Sequence, residues 1–114
     1  MSSARLTSQF RVSALQKLAE AEGGFAAVLR KGDQLSGAIL LVGQIKGRNP
    51  VIYERYPELD GSFSWHQVTQ AIGGDETEPT KYWKSRIKRD PDLWVLELDV
   101  ASKERLDGLL AADS

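Results

Sequence analysis

The stretch from Lys81 to Leu98 constrains the fold more than any other part of this chain. It reads Lys-Tyr-Trp-Lys-Ser-Arg-Ile-Lys-Arg, then Asp90-Pro91-Asp92, then Leu-Trp-Val-Leu-Glu-Leu. Trp83 and Ile87, four residues apart, give the first part a narrow apolar stripe at helical spacing, while Lys81, Lys84 and Lys88 share another face. Pro91 biases Asp90 towards extended geometry, so the helix stops there. Beyond it, alternation places Trp94, Leu96 and Leu98 on one face of a strand and Leu93, Val95 and Glu97 on the other. A basic helix therefore runs through a proline turn into an apolar strand.

The same stretch holds the only concentrated charge. Residues 81–89 carry five basic residues and no acid, whereas 59–80 carry four acids and no Lys or Arg, and 90–114 carry seven acids against Lys103 and Arg105. A net charge of −1 hides this segregation. Such blocks either form a binding face or pair with one another inside the fold.

The rest of the chain reads as alternating short elements. Ala14, Leu15, Leu18 and Ala19 recur at helical spacing, which predicts a first helix beginning near Ser8 and ended by Gly23-Gly24. A capping box at Ser13 and Gln16 is the competing start, and the alternation of Leu6, Ser8, Phe10 and Val12 the competing strand. Strands are expected at Phe25–Arg30, Gly37–Ile45, Val51 onward, and Ser62–Val68, with turns at Lys31-Gly32-Asp33 and Gly47-Arg48-Asn49-Pro50. Residues 73–78 read as an acidic loop, and the basic helix starts between Thr77 and Thr80. Ser102 caps a last helix over Lys103–Ala111, whose apolar side is Leu106, Leu109 and Leu110.

The expected fold is a single α+β domain over 1–114, in the order α-β-β-β-(β)-α-β-α. Its sheet is mainly antiparallel, with four or five strands and the helices on one face. There are no cysteines, which rules out disulfides and thiolate chemistry. No apolar run reaches membrane-spanning length, and the first residues do not form a signal peptide, so the expected location is cytoplasmic and away from the membrane.

Several of these segments resemble the domain-of-unknown-function family 1491, small bacterial proteins that are mostly alphaproteobacterial. The resemblance rests on Val12-Ser13-Ala14-Leu15, on Gly24 to Asp33, on Gly37 to Val42, and on Arg89-Asp90-Pro91-Asp92-Leu93-Trp94-Val95. It covers nearly the whole chain, with Pro57 to Glu78 departing most. It implies a bacterial single-domain protein and carries over no catalytic residue.

The candidate binding residues are Lys81, Lys84, Lys88, Arg86 and Arg89, which suit an acidic protein surface or the phosphates of a nucleic acid. The bland alternative is a solvated helix face with Trp83 buried on the sheet. A nuclease core needs an Asp followed by an acid-x-Lys, and the nearest equivalents are Asp33, Gln44-Ile45-Lys46 and Glu54-Arg55. Glutamine is a neutral ligand, and Asp33 fits a turn. His66 is the one histidine, with no nucleophile at a recognisable spacing. The expectation is a non-enzymatic interaction module without a cofactor, able to pair as a homodimer through a sheet edge or the last helix. A nucleic-acid-binding protein with a degenerate nuclease-like core is the alternative.

Overall fold

The computed structural model describes residues 6–68 and 79–113. The expected acidic loop at 73–78 lies outside them, as do positions 77 and 78 of the 77–80 range in which the basic helix is expected to begin. Along the chain the elements are α1 (Ser8–Ala21), β1 (Phe25–Arg30), β2 (Ile39–Ile45), β3 (Arg48–Pro57), β4 (Phe63–Val68), α2 (Pro79–Arg89), β5 (Trp94–Val100) and α3 (Lys103–Ala112).

Local chemistry explains most of the boundaries. Thr7 starts α1: its side-chain oxygen accepts the Phe10 N–H at 3.1 Å. Gly23, at φ 81°, ends it, with the Gly24 and Gly23 amides donating to Ala19 O and Glu20 O at 2.8 and 3.0 Å. The β2–β3 turn sits one step earlier than expected. Lys46 and Gly47, at φ 52° and 72°, make a two-residue hairpin turn, and residues 48–50 belong to β3. Ser102 caps α3 by accepting the Arg105 amide.

The sheet is five-stranded in the order β1-β5-β2-β3-β4. Three of the pairings are antiparallel and β2–β5 is parallel. The mainly antiparallel α+β class is thus as expected, but β1 and β2 are not neighbours. Residues 31–38 do not form a hairpin turn; they cross over the start of β5, which slots between the two strands. Gly32 and Gly37 permit that crossing, since a Cβ on either would lie 2.2 Å from the Asp92 carbonyl oxygen. The Asp33 amide donates to that same oxygen at 3.0 Å, and the Trp94 indole N–H donates to Asp33 O at 2.7 Å. The Gly-Asp and Asp-Pro-Asp segments therefore form two halves of one junction.

The helices also differ from expectation, occupying both faces of the sheet. α1 and α3 cover Leu41, Tyr53, Trp94, Leu96 and Leu98 through Val12, Leu15, Ala19, Leu106 and Leu109. α2 lies on the opposite face, where Tyr82, Trp83 and Ile87 pack against Leu40, Val42, Ile52, Leu93 and Val95. The reason is in the strands: β2 and β5 are apolar at consecutive positions, so both of their faces need cover. Among the described residues no helix is long and apolar enough to cross a membrane.

Candidate functional site

Helix α2 turns two different flanks to its surroundings. Its inner residues, at spacings of three and four, are Tyr82, Trp83, Arg86 and Ile87, all half-buried. Lys81, Lys84, Lys88 and Arg89 are exposed. The five candidate binding residues are therefore divided: four point outward, and Arg86 points in.

Arg86 meets Glu54, a buried carboxylate in the middle of β3 that is 8% exposed. The Arg86 Nη2 donates to Glu54 Oε1 at 2.8 Å, and its Nε lies 3.2 Å from both carboxylate oxygens. Tyr82 donates its hydroxyl to Glu54 Oε2 at 2.6 Å. Bidentate contact with a carboxylate favours the charged guanidinium, which raises the Arg86 pKa. Burial pushes the Tyr82 phenol up to about 12, helped by its hydrogen bond to Glu54.

The neutral phenol is the donor in this cluster, so the sign of its pH dependence follows. Its contribution is complete below the ordinary tyrosine value of 10.0 and is lost as pH rises towards about 12. The urea midpoint of the wild type is expected to fall across that window more steeply than that of Tyr82→Phe. Equal slopes would contradict the role given to this hydroxyl.

On the outer flank, Lys81, Lys84, Lys88 and Arg89 form no ion pair or hydrogen bond with another side chain among the described residues. Lys84 Nζ lies 6.0 Å from the Trp83 ring centroid. The fold consumes one cation of this helix to hold it down and leaves the others facing solvent. Sequence reasoning missed Glu54 and Tyr82 as the anchors. The available signal was a carboxylate alternating with Ile52 in a strand, on the side that must be covered.

The remaining candidates fall elsewhere. Asp33 Oδ2 accepts the Leu35 and Ser36 amides at 3.1 and 2.9 Å, and these bonds hold its carboxyl below the usual carboxylate range, the Ser36 amide most of all. Asp33 lies at the Ile39–Trp94 end of β2, and Gln44 at the other end, opposite Asp99 and bonded to Glu97 at 3.1 Å. Those two residues therefore cannot share one metal ion. Among the described residues no three His, Cys, Asp or Glu side chains group as metal ligands would. Asp90 accepts the Asp92 amide at 3.2 Å, as expected of a turn.

His66 lies on β4 with Nε2 2.9 Å from Ser64 Oγ and 3.0 Å from Glu58 Oε2. One nitrogen faces both partners, so the ring does not relay between a nucleophile and an acid as a triad histidine does. The Ser64 hydroxyl, followed by His66, lowers the Glu58 pKa.

A second polar group lies on the other face of the sheet and was not foreseen. Asp113 accepts from Arg11, and the Trp65 indole N–H donates to it at 3.0 Å. Arg55 lies beside them, stacked on Phe63 and Trp65. A cleft of about 280 Å³ adjoins Trp65, lined by Tyr53, Ser64, Asp107 and Leu110.

Comparison with known proteins places this architecture in a family. The model of a family described as "Protein of unknown function (DUF1491)" matches residues 6–107. A crystal structure of a DUF1491 family protein from Caulobacter crescentus CB15 is similar, with TM-score 0.74, 30% identity, and coverage of 86% of this chain and 91% of that one. A solution structure of protein Atu0922 from A. tumefaciens is similar with TM-score 0.69 and 29% identity, covering 90% of this chain and 92% of that one. No curated protein matches.

Proposed function

This chain belongs to the DUF1491 family of bacterial proteins of unknown function, and we propose that it acts as a cytoplasmic interaction module that docks an acidic protein surface on the outer face of α2. The observation that carries this reading is the division of cations on that helix. Arg86 is spent on Glu54, whereas Lys81, Lys84, Lys88 and Arg89 stay exposed. A helix with four outward cations attracts a negative partner at long range. The cysteine-free composition suits a reducing compartment.

Nucleic acid is the alternative partner. A single strand is held best where aromatic rings beside the cations are free to stack on its bases. Tyr82 is tied to Glu54 and Trp83 packs on the sheet, which favours a protein surface instead. Pairing of two copies through the β1 edge does not enter this reading, because a bulge between Val28 and Arg30 blunts that edge.

The test is fluorescence anisotropy at low salt with a labelled polyglutamate peptide and a labelled single-stranded oligonucleotide. The peptide is expected to bind wild type, weaken as salt rises, and lose binding in K81A/K84A/K88A. Binding of the oligonucleotide alone would transfer the face to the alternative. Binding of neither would end both readings, since electrostatic association is strongest at low salt.

A further inference from the structure

On the sheet face opposite α2, Arg55 of β3 pairs across the ladder with Trp65 of β4. Its guanidinium carbon lies 4.7 Å from the Phe63 ring centroid and 6.0 Å from that of Trp65. Two aromatic rings thus hold a charged, planar fork in one orientation. Its Nε is shut off from solvent and has no hydrogen-bond partner among the described residues. Buried polar groups nearly always have one, and an exception calls for a reason.

The neighbouring carboxylate does not supply it. Asp113 Oδ2 already accepts from both Arg11 and the Trp65 indole. Among the described residues, the charges that act on Arg55 are Arg11 and Asp113, so the two arginines outweigh that acid by one positive charge. Burial, and then repulsion from Arg11, lower the Arg55 pKa, with Asp113 offsetting them in part. A half-buried cation flanked by two rings and repelled by its neighbour attracts negative charge, and because its Nε is enclosed, that charge is met by the terminal Nη groups.

We propose that Arg55, framed by Phe63 and Trp65, is an oxyanion-binding site that takes a phosphate or carboxylate group. The two terminal Nη groups offer parallel N–H donors end-on to two oxygens of such a group, while the enclosed Nε side stays dry. The cleft of about 280 Å³ shares Trp65 with this site and has room for the organic body of a small ligand. The cleft lining also holds Asp107, ion-paired with Lys103 at 2.9 Å; a carboxylate there repels a second anion, so the anionic end of a ligand belongs at Arg55 and not in the cleft. The site is independent of the α2 face, from which the sheet separates it.

The test is an NMR titration of the full chain with sodium phosphate and, separately, sodium acetate, each against sodium chloride at equal ionic strength. The readout is the Trp65 indole N–H signal, assigned by its loss in Trp65→Phe. A saturable shift is expected in wild type with at least one oxyanion and not with chloride. A response to one anion alone identifies the source, and a response to both identifies a general oxyanion site.

Arg55→Met is expected to abolish the shift. Arg55→Lys, which keeps the charge but not the fork, is expected to weaken binding about tenfold. K81A/K84A/K88A is expected to bind as wild type, which separates this site from the helix face. No shift beyond that with chloride, or an undiminished shift in Arg55→Met, would overturn the proposal. Should Arg55→Met fail to fold, the comparison of wild type with Arg55→Lys decides, and equal affinities would count against the fork.

Discussion

Glu54→Ala is expected to destabilise the protein by about 3 kcal/mol and to loosen α2 from the sheet. Removing one partner of a buried ion pair leaves the other charge desolvated and unpaired, which costs about 3–5 kcal/mol when burial is complete. Here the Arg86 and Glu54 side chains are 18% and 10% exposed, so the lower end applies. Tyr82 loses its acceptor in the same step. The loss should concentrate in α2, because its apolar contacts are confined to Tyr82, Trp83 and Ile87. Urea denaturation measures the total, and amide exchange along residues 82–89 locates it.

The double variant Glu54→Leu/Arg86→Met is the informative partner. Replacing both charges by apolar groups of similar size removes the desolvation penalty along with the attraction. It is expected to recover most of the loss of Glu54→Ala and to stay about 1 kcal/mol below wild type, because the Tyr82 hydroxyl is still left without its acceptor. If the double variant is as damaged as Glu54→Ala, the two side chains are not coupled as described.

Gly37→Ala is expected to cost about 3 kcal/mol, the upper end of an overpacking penalty. The added Cβ would sit 2.2 Å from the Asp92 carbonyl oxygen, a backbone atom that cannot swing aside. Relieving the clash means parting the 31–38 crossing from the start of β5. That breaks the Asp33–Asp92 bond and strains the Trp94–Asp33 bond. Gly108→Ala is the control. A Cβ there meets nothing within 4 Å, and the site is helical, so a gain of up to about 1 kcal/mol is expected. Thermal denaturation of the two variants should move in opposite directions. A loss in Gly108→Ala, or none in Gly37→Ala, would contradict this account of the junction.

The elements were largely legible in the sequence because their signals are local. Gly23-Gly24, Pro91 and Ser102 act within a few residues of themselves, and the alternation in β5 assigned its two faces, whereas the cap of α1 is Thr7 and not the Ser13 that the capping-box pattern offered. The strand order was not legible. Nothing in the local pattern of Phe25–Arg30 says that its neighbour will be β5, some seventy residues on, rather than β2. The turn chemistry of residues 31–33 suited a hairpin and a crossing equally. What decided between them was the close approach that Gly32 and Gly37 allow at Asp92.

The placement of α2 follows the same logic. Consecutive apolar residues in β2 and β5 call for cover on two faces, which the one-face expectation did not provide, and which helix covers which depends on long-range packing. Within the candidate site, the outward lysines were readable from spacing alone. Arg86 was readable in principle, since it stands three residues after Trp83 and one before Ile87 and so borders the apolar stripe. Its partner Glu54 was hidden in a strand whose alternation marked it only as a charge on the wrong side. Arg55 and Trp65 came together through the β3–β4 register, which no single stretch of sequence displays.

The central claim is that α2 is held by its inner flank and binds through its outer one. Wild type and K81A/K84A/K88A, prepared side by side, test it in one experiment that records the thermal midpoint and the affinity for polyglutamate on the same samples. The account predicts a midpoint within about 2 °C of wild type, because exposed unpaired lysines contribute little to stability, together with loss of peptide binding. A variant that binds as wild type, or one whose midpoint falls as far as that of Glu54→Ala, would contradict it.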